Sequence, residues 1–148
     1  MKKLLVLVLV LCLFGMCGCT MVATDTAGYS GGISDAAFSK VFGDTGGYFI
    51  DKISPSNPNV TDTLCATDES GSVNVFWFKC KDVNSAKHLY SNNVQSNVLL
   101  KGNQQMSETA DASRYYLTFQ TGDTVLVALC GISERDTITS LVNGFVTK

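Results

Sequence analysis

The pattern of apolar and polar positions divides this chain of 148 residues into three parts. Residues 4–14 form an unbroken apolar run that follows Met1-Lys2-Lys3. A positive start and a short apolar run are typical of a secretory signal, because a helix that spans a membrane needs about 20 apolar residues. Residues 20–32 lack apolar periodicity and are rich in Gly, Ser and Thr, which predicts a tether. A single folded domain is expected over residues 33–148.

In the first half of the domain, the spacing of apolar residues predicts one helix followed by three strands. Ser34 is placed to cap a first helix, and Gly43 is placed to end it. Strands are then predicted over residues 48–53, 60–67 and 73–80. The third strand, VNVFWFKC, is apolar on both faces, so we expect it at the centre of the sheet.

The second half begins with a helix that Asp82 is expected to cap. Residues 95–112 are mostly polar, and we expect a long loop that is either a lid or disordered. Two alternating runs follow, at 114–120 and 124–130, and Gly122-Asp123 between them suits a tight hairpin turn.

A third amphipathic helix ends the chain. Ser133 and Asp136 resemble a capping box, and the apolar positions of residues 138–146 have helical spacing. The predicted fold is therefore α+β, with a mostly antiparallel five-stranded sheet and three helices in the order α-β-β-β-α-β-β-α. The helices are expected to pack on one face of the sheet.

The two aromatic strands suggest a binding surface. Side chains alternate along a strand, so Phe76 and Trp77 point to opposite sides of it. We assign Trp77 and Tyr116 together to the face opposite the helices, with Tyr116 beside Val125 and Val127; this face is either partly exposed or closed by residues 95–112. Burial in the core remains the default interpretation of these aromatic side chains. If they were exposed, the aromatic side chains would form a patch that suits contact with a partner.

The residues after the apolar run carry a recognisable motif. Met16-Cys17-Gly18-Cys19 resembles the lipobox of bacterial lipoproteins, although Met16 stands where Leu is usual and Cys17 where Ala, Ser or Thr is usual. The resemblance implies that residues 1–18 are a signal peptide and that Cys19 carries the lipid. The alternatives are an ordinary signal peptide and an uncleaved anchor. No stop-transfer segment follows the run, which argues against the anchor.

The layout of residues 34–146 also resembles a known group of proteins. The Gly-Tyr turn at residues 47–48, Lys-Cys-Lys-Asp at 79–82 and Tyr-Tyr at 115–116 are similar to small, uncharacterised lipoproteins of Gram-positive bacteria. The resemblance contains no catalytic motif, so it implies a fold more than a function.

Charge and thiol content narrow the function further. Lys2 and Lys3 fall in the signal, so nine basic and thirteen acidic residues remain and the net charge is about −4. Nucleic acid is therefore not an expected partner. Cys65, Cys80 and Cys130 remain after the lipidated cysteine; one disulfide among them is conceivable, but three buried structural thiols are the favoured interpretation.

No set of residues in the sequence predicts a cofactor, a metal site or catalysis. His88 is the only histidine, and the sequence has no CxxC pair, phosphate loop or GxSxG elbow. We therefore expect a non-enzymatic binding module for an unknown protein or small molecule, anchored at the extracytoplasmic face of the cell membrane. The alternatives are an enzyme that uses His88 with Cys80 or Cys130, and a structural envelope protein.

Overall fold

Seven strands form one antiparallel sheet. The computed structural model describes residues 31–94 and 97–147. The strands are β1 (Phe49–Ile53), β2 (Val60–Thr67), β3 (Asn74–Cys80), β4 (Val98–Leu99), β5 (Gln105–Ala110), β6 (Arg114–Thr121) and β7 (Thr124–Gly131). They lie in the order β1-β2-β3-β7-β6-β5-β4. The architecture is α+β with three helices, but the prediction of a five-stranded sheet is wrong.

The two additional strands lie in residues 95–112, where the sequence predicted a loop. β5 pairs with β6 along its whole length, from Gln105 opposite Gln120 to Ala110 opposite Tyr115. The sequence of β5, QMSETA, contains a single large apolar residue, so its alternation was too weak to predict a strand. β5 belongs to the sheet because it pairs with β6, and a local sequence pattern does not show such a pairing.

The part of the chain that the structure describes has three α-helices beside the sheet: α1 (Asp35–Ser39), α2 (Val83–Ser91) and α3 (Arg135–Asn143). The first two begin as expected. The hydroxyl of Ser34 accepts a hydrogen bond from the backbone N–H of Ala37 at 3.1 Å. The Asp82 carboxylate accepts one from the N–H of Ser85 at 2.7 Å. Both caps satisfy backbone donors that the first helical turn leaves without partners.

Two helix ends differ from the prediction. α1 does not end at Gly43 but continues as a π-helical turn, Lys40–Thr45, which keeps Phe42 buried. Such a turn accommodates an extra residue, which a local C-cap rule does not foresee. Ser133 lies in a 3₁₀ turn, Ile132–Glu134, and no side chain caps α3.

The helices lie on both faces of the sheet, so the prediction that they share one face is wrong. α1 and α3 cover the first face, which carries the main core. Its buried side chains include Phe38, Phe42, Trp77, Leu117, Phe119, Leu126, Ile138, Val142 and Phe145. α2 packs on the second face, where Ala86 and Tyr90 contact a smaller cluster with Val60, Cys80 and Val125.

The described chain begins against the turn between β6 and β7. A Cβ atom on Gly122 would lie 2.5 Å from the backbone nitrogen of Gly32, so this contact requires glycine. The N–H of Ile33 then donates to the Thr124 hydroxyl at 2.9 Å. We call this end of the sheet the near end. The far end carries the β2–β3 and β5–β6 turns.

The predicted signal peptide, Cys19 and the tether up to residue 30 lie outside the described residues. Within residues 31–94 and 97–147, none of the helices has the length and apolar character needed to cross a membrane.

Candidate functional site

No helix of the described residues, 31–94 and 97–147, covers the far half of the second face. α2 packs over the near end of this face, on Cys80 and Val125. The side chains toward the far end are half-buried or exposed; they are Asn74, Phe76, Tyr116, Val127 and Leu129. We call these five residues the open patch.

Strand pairing brings the residues of the open patch together. Phe76 of β3 lies opposite Val127 of β7. Leu129 of β7 lies opposite both Asn74 of β3 and Tyr116 of β6. Directly opposed side chains have Cβ atoms about 4.5–5.5 Å apart. The patch is therefore one continuous surface, three strands wide. The predicted grouping of Tyr116 with Val125 and Val127 is confirmed.

Tyr116 is the most exposed aromatic side chain of the open patch, with 39% of its surface accessible. Its hydroxyl accepts a hydrogen bond from the guanidinium Nη1 of Arg114 at 3.3 Å. This hydrogen bond raises the pKa of Arg114. The guanidinium, which is charged at any ordinary pH, lies at the rim of the patch. An aromatic ring with a polar tip suits a contact surface that is apolar at its centre and wet at its edge.

Phe76, in the open patch, packs against residues that α2 covers. The Phe76 ring stacks on Phe78, with centroids 6.1 Å apart and 16° between the ring planes. Phe78 in turn packs against the cluster under α2. Cys65 lies opposite Phe76 and is buried. These contacts hold the Phe76 ring in one orientation.

Trp77 does not belong to this surface. Only 3% of it is accessible, and its indole Nε1–H donates to the backbone carbonyl of Ile33 at 3.0 Å. Its ring lies 6.3 Å from that of Phe38 on the first face. The assignment of Trp77 and Tyr116 to the same face is therefore wrong, whereas the default interpretation of Trp77 as a core residue is confirmed. Trp77 is a core residue that also fixes the start of the domain.

The error has a simple physical origin. Alternation shows which residues of a single strand share a side of the sheet. It does not show how the sides of two strands correspond, because β3 and β6 are joined through β7 and the register of each pair is set by tertiary packing. Trp77 pairs with Leu126 and therefore points to the first face. A shift of one residue in that register would exchange the two faces.

A cavity of about 400 Å³ lies at the near end beside Trp77. Its other lining residues are Ile33, Ser34, Asp35, Thr61, Asp62 and Lys79. Asp62 pairs with Lys52 at 3.0 Å, and Lys79 pairs with Asp123 at 2.7 Å. Two of the three charged groups of the cavity are thus already engaged within the domain, which makes it a weaker candidate than the open patch.

The thiols and the histidine do not form a reactive pair in the described part of the chain. Cys65, Cys80 and Cys130 are free and buried. Burial raises the pKa of all three, and that of Cys80 reaches about 11 with help from the nearby Asp123 carboxylate. A nucleophilic cysteine requires the opposite shift. His88 is exposed on α2, where its ring lies 3.1 Å from the side-chain amide of Asn92.

The described residues contain no group of three or more His, Cys, Asp or Glu side chains that could hold a metal ion. Comparison with known proteins adds no relative: no family model matches the chain, and no curated protein or solved structure is significantly similar to it.

Proposed function

We propose that this chain is a lipoprotein, anchored by lipid on Cys19 to the extracytoplasmic face of the cell membrane, and that its domain is a non-enzymatic binding module. The lipobox-like sequence supports the anchor. The observation that carries the binding role is the open patch, because α2 covers only the near half of the second face. Apolar side chains left uncovered on a sheet face are a common mark of an interaction site.

The size of the open patch favours a small occupant. Neighbouring strands lie about 4.8 Å apart, so the three strands that carry it are roughly 10–15 Å wide. A stable interface between two folded proteins buries about 800 Å² on each partner. A patch this narrow suits a small molecule or a short segment of a partner protein.

The chemistry of the thiols supports a binding module over the alternative of a Cys/His enzyme. With a pKa of about 11, the Cys80 thiol remains protonated at neutral pH. The contact that His88 makes is to Asn92 and not to a thiol. A purely structural envelope protein is the remaining alternative, and an occupant of the open patch would argue against it.

Crosslinking in intact cells tests the binding role. A photo-crosslinking amino acid in place of Tyr116 should yield a defined adduct, because this side chain lies in the open patch. The same amino acid in place of Asp136, which is exposed on α3 and therefore lies over the first face, is the matched control. Equal adducts from both positions, or none from Tyr116, would argue against the patch as a binding site.

The anchor is tested by Cys19→Ala. The variant is expected to leave the membrane fraction and to incorporate no fatty-acid label, because it lacks the thiol that receives the lipid. Detergent partitioning and metabolic labelling with a fatty-acid analogue are the measurements. Continued labelling of the variant would show that another residue carries the lipid.

A further inference from the structure

A cation lies on the second face beside the open patch. Arg114 is exposed on β6, two residues before Tyr116, so both side chains point to this face. The hydrogen bond from the guanidinium Nη1 to the Tyr116 hydroxyl shows that they lie side by side. A guanidinium has five N–H donors, and that of Arg114 forms no ion pair with the described residues. It therefore retains donors for an anion from outside the domain.

The acid that acts on Arg114 is occupied by the β5–β6 turn. The Asp111 Oδ1 accepts hydrogen bonds from the backbone N–H groups of Ser113 and Arg114, both at 2.8 Å, and one from the Ser113 hydroxyl. The N–H of Ser113, followed by that of Arg114, lowers the pKa of Asp111. Asp111 thus stabilises the turn as a carboxylate, and its oxygens do not form an ion pair with the guanidinium.

The strand position opposite Arg114 is a glycine, Gly131 of β7. Its backbone is extended, with φ −64° and ψ 153°, a conformation that any residue adopts. A Cβ atom on Gly131 would meet only the Ser133 Oγ, at 3.6 Å, which is an ordinary contact. Neither the backbone nor a close neighbour therefore requires glycine here. Its effect is that no side chain fills the space beside the guanidinium.

Apolar side chains continue from this space along β7. Leu129 and Val127 follow Gly131 on the same face at intervals of about 6.7 Å, so the three positions extend over roughly 13 Å. Tyr116 lies beside Leu129, and Phe76 lies beside Val127. Val127 also packs against the cluster under α2. The apolar surface is therefore bounded by α2 at one end and by the cation at the other.

We propose that the open patch binds a small apolar carboxylate, whose anionic group pairs with Arg114 and whose apolar body lies over Leu129 and Val127. This inference rests on the proposed binding role of the open patch. The planar guanidinium matches a carboxylate with two parallel hydrogen bonds, and the apolar body is removed from water. A wholly apolar ligand would cover the guanidinium without giving it a partner, which is unfavourable for a charged group.

Two probes of the same shape test the proposal: hydrocinnamate, which carries a carboxylate, and its neutral amide. Each is titrated into the full chain in nonionic detergent, and the NMR signals of the Leu129 methyl groups report binding. The methyl groups of Leu141, which pack against the core of the first face, are the reference. Each variant is compared with the unchanged chain for the same probe, so uptake of the probe by detergent is the same in both.

Hydrocinnamate should bind about fivefold more tightly than the amide, because only the carboxylate pairs with the guanidinium. Arg114→Gln retains a side-chain N–H but removes the charge, so it should weaken hydrocinnamate about fivefold and leave the amide unchanged. Lys40→Gln is the matched control: it removes an exposed cation that follows α1 and should alter neither affinity.

Equal affinities for the two probes, or equal weakening of both by Arg114→Gln, would overturn the preference for an anion while leaving the open patch as a binding surface. An equal loss of hydrocinnamate binding in Lys40→Gln would show a general charge effect and overturn it too. Leu129 signals that respond to neither probe would also reject this inference. In that case, crosslinking from Tyr116 decides the binding role of the patch separately.

Discussion

Trp77 joins the start of the domain to the sheet through both its ring and its N–H. The ring packs in the core of the first face, and the indole nitrogen binds the carbonyl of Ile33. Ile33 is held a second time by the Thr124 hydroxyl. The residues that precede α1 are therefore part of the folded domain and connect it to whatever lies before residue 31.

Trp77→Ala should lower the unfolding free energy by about 3–5 kcal/mol, because it empties a large volume of core and removes a buried hydrogen bond. Tyr116→Ala should cost less than about 1 kcal/mol, since 39% of this side chain is exposed. Denaturant unfolding of both variants measures the difference. Similar losses for the two would mean that Tyr116 is as much a core residue as Trp77.

Gln104 is a buried polar residue that holds the end of the chain. Its side-chain amide donates to the Phe145 carbonyl at 2.9 Å and to the Thr121 hydroxyl at 3.2 Å. Its amide oxygen accepts from the N–H of Thr147 at 2.8 Å. The residues after α3 are thus held by the Gln104 side chain in addition to the burial of Phe145 in the core.

Gln104→Leu should lower the unfolding free energy by about 1–3 kcal/mol, because it removes three hydrogen bonds from a buried site. Gln105→Leu is a suitable control: the adjacent glutamine is half-buried and bonds to Asn97 and Gln120, which are both side-chain partners. Chemical denaturation compares the two variants. A control loss equal to that of Gln104→Leu would remove the special role of the buried residue.

At the scale of elements, the β2–β3 turn is organised around one carboxylate. Asp68 accepts hydrogen bonds from the N–H of Val73 at 2.9 Å and from the hydroxyls of Ser70 and Ser72. The hydroxyl of Ser70, followed by the Val73 N–H, holds the pKa of Asp68 well below its usual range. A carboxylate bound in this way favours the turn only while it is ionised.

Because its pKa is lowered by folding, Asp68 contributes stability that is present above about pH 4 and is lost as the pH falls further. Asp68→Asn removes this titration but retains an oxygen for the Val73 N–H. The urea midpoint of the variant should therefore change less between pH 5 and pH 2 than that of the unchanged chain. Identical pH dependence in the two would show that the turn carboxylate does not influence stability.

The elements with strong local signals were predicted well. β2 occupies residues 60–67 as expected, and Ser34 and Asp82 cap their helices. These features depend on neighbours in the sequence. β5 was missed because its main support is pairing with β6, and α1 extended past Gly43 because packing of Phe42 outweighed the tendency of glycine to end a helix.

The candidate site was predicted only in part, for the same reason. Tyr116 was identified, and its neighbours Val125 and Val127 were correctly placed on its side of the sheet. Trp77 was assigned to the wrong face because the register between β3 and β7 depends on the whole sheet. Phe76 was missed because the same register error placed it on the helix-covered face. Leu129 was missed because no local pattern shows that α2 stops before it reaches the far end.

At the scale of the whole molecule, the two ends of the sheet differ in character. The near end holds the start of the described chain, the exposed edge of β4 and the cavity beside Trp77. The far end holds the Asp68 turn and lies closest to the open patch. The described chain begins at the near end, so the proposed anchor at Cys19 and the proposed binding surface would use opposite ends of the sheet.

The pH dependence of stability reflects both layers of the core. Burial raises the pKa of Tyr90, on the side of α2 that faces the sheet, and of Tyr115, on the first face, to about 12. It raises that of Cys80 to about 11. In the unfolded chain these groups lose their protons near pH 10 for tyrosine and near 8.5 for cysteine. When the pH lies between the pKa of a group in the unfolded chain and its pKa in the folded domain, unfolding releases a proton. The unfolding free energy must therefore decrease as the pH rises through this range.

The unfolding free energy should therefore be highest below about pH 8.5 and should decrease steadily between roughly pH 9 and pH 12. Each group that ionises only on unfolding adds a slope of up to about 1.4 kcal/mol per pH unit. Tyr90→Phe removes one of these titrations, at the cost of the hydrogen bond that the Tyr90 hydroxyl donates to Asn97. Its unfolding free energy should start lower but decrease less steeply from pH 10 to 12, as measured by urea unfolding at each pH. If the variant and the unchanged chain have parallel pH profiles, the Tyr90 phenol ionises in the folded domain, and the cluster around it is open to water.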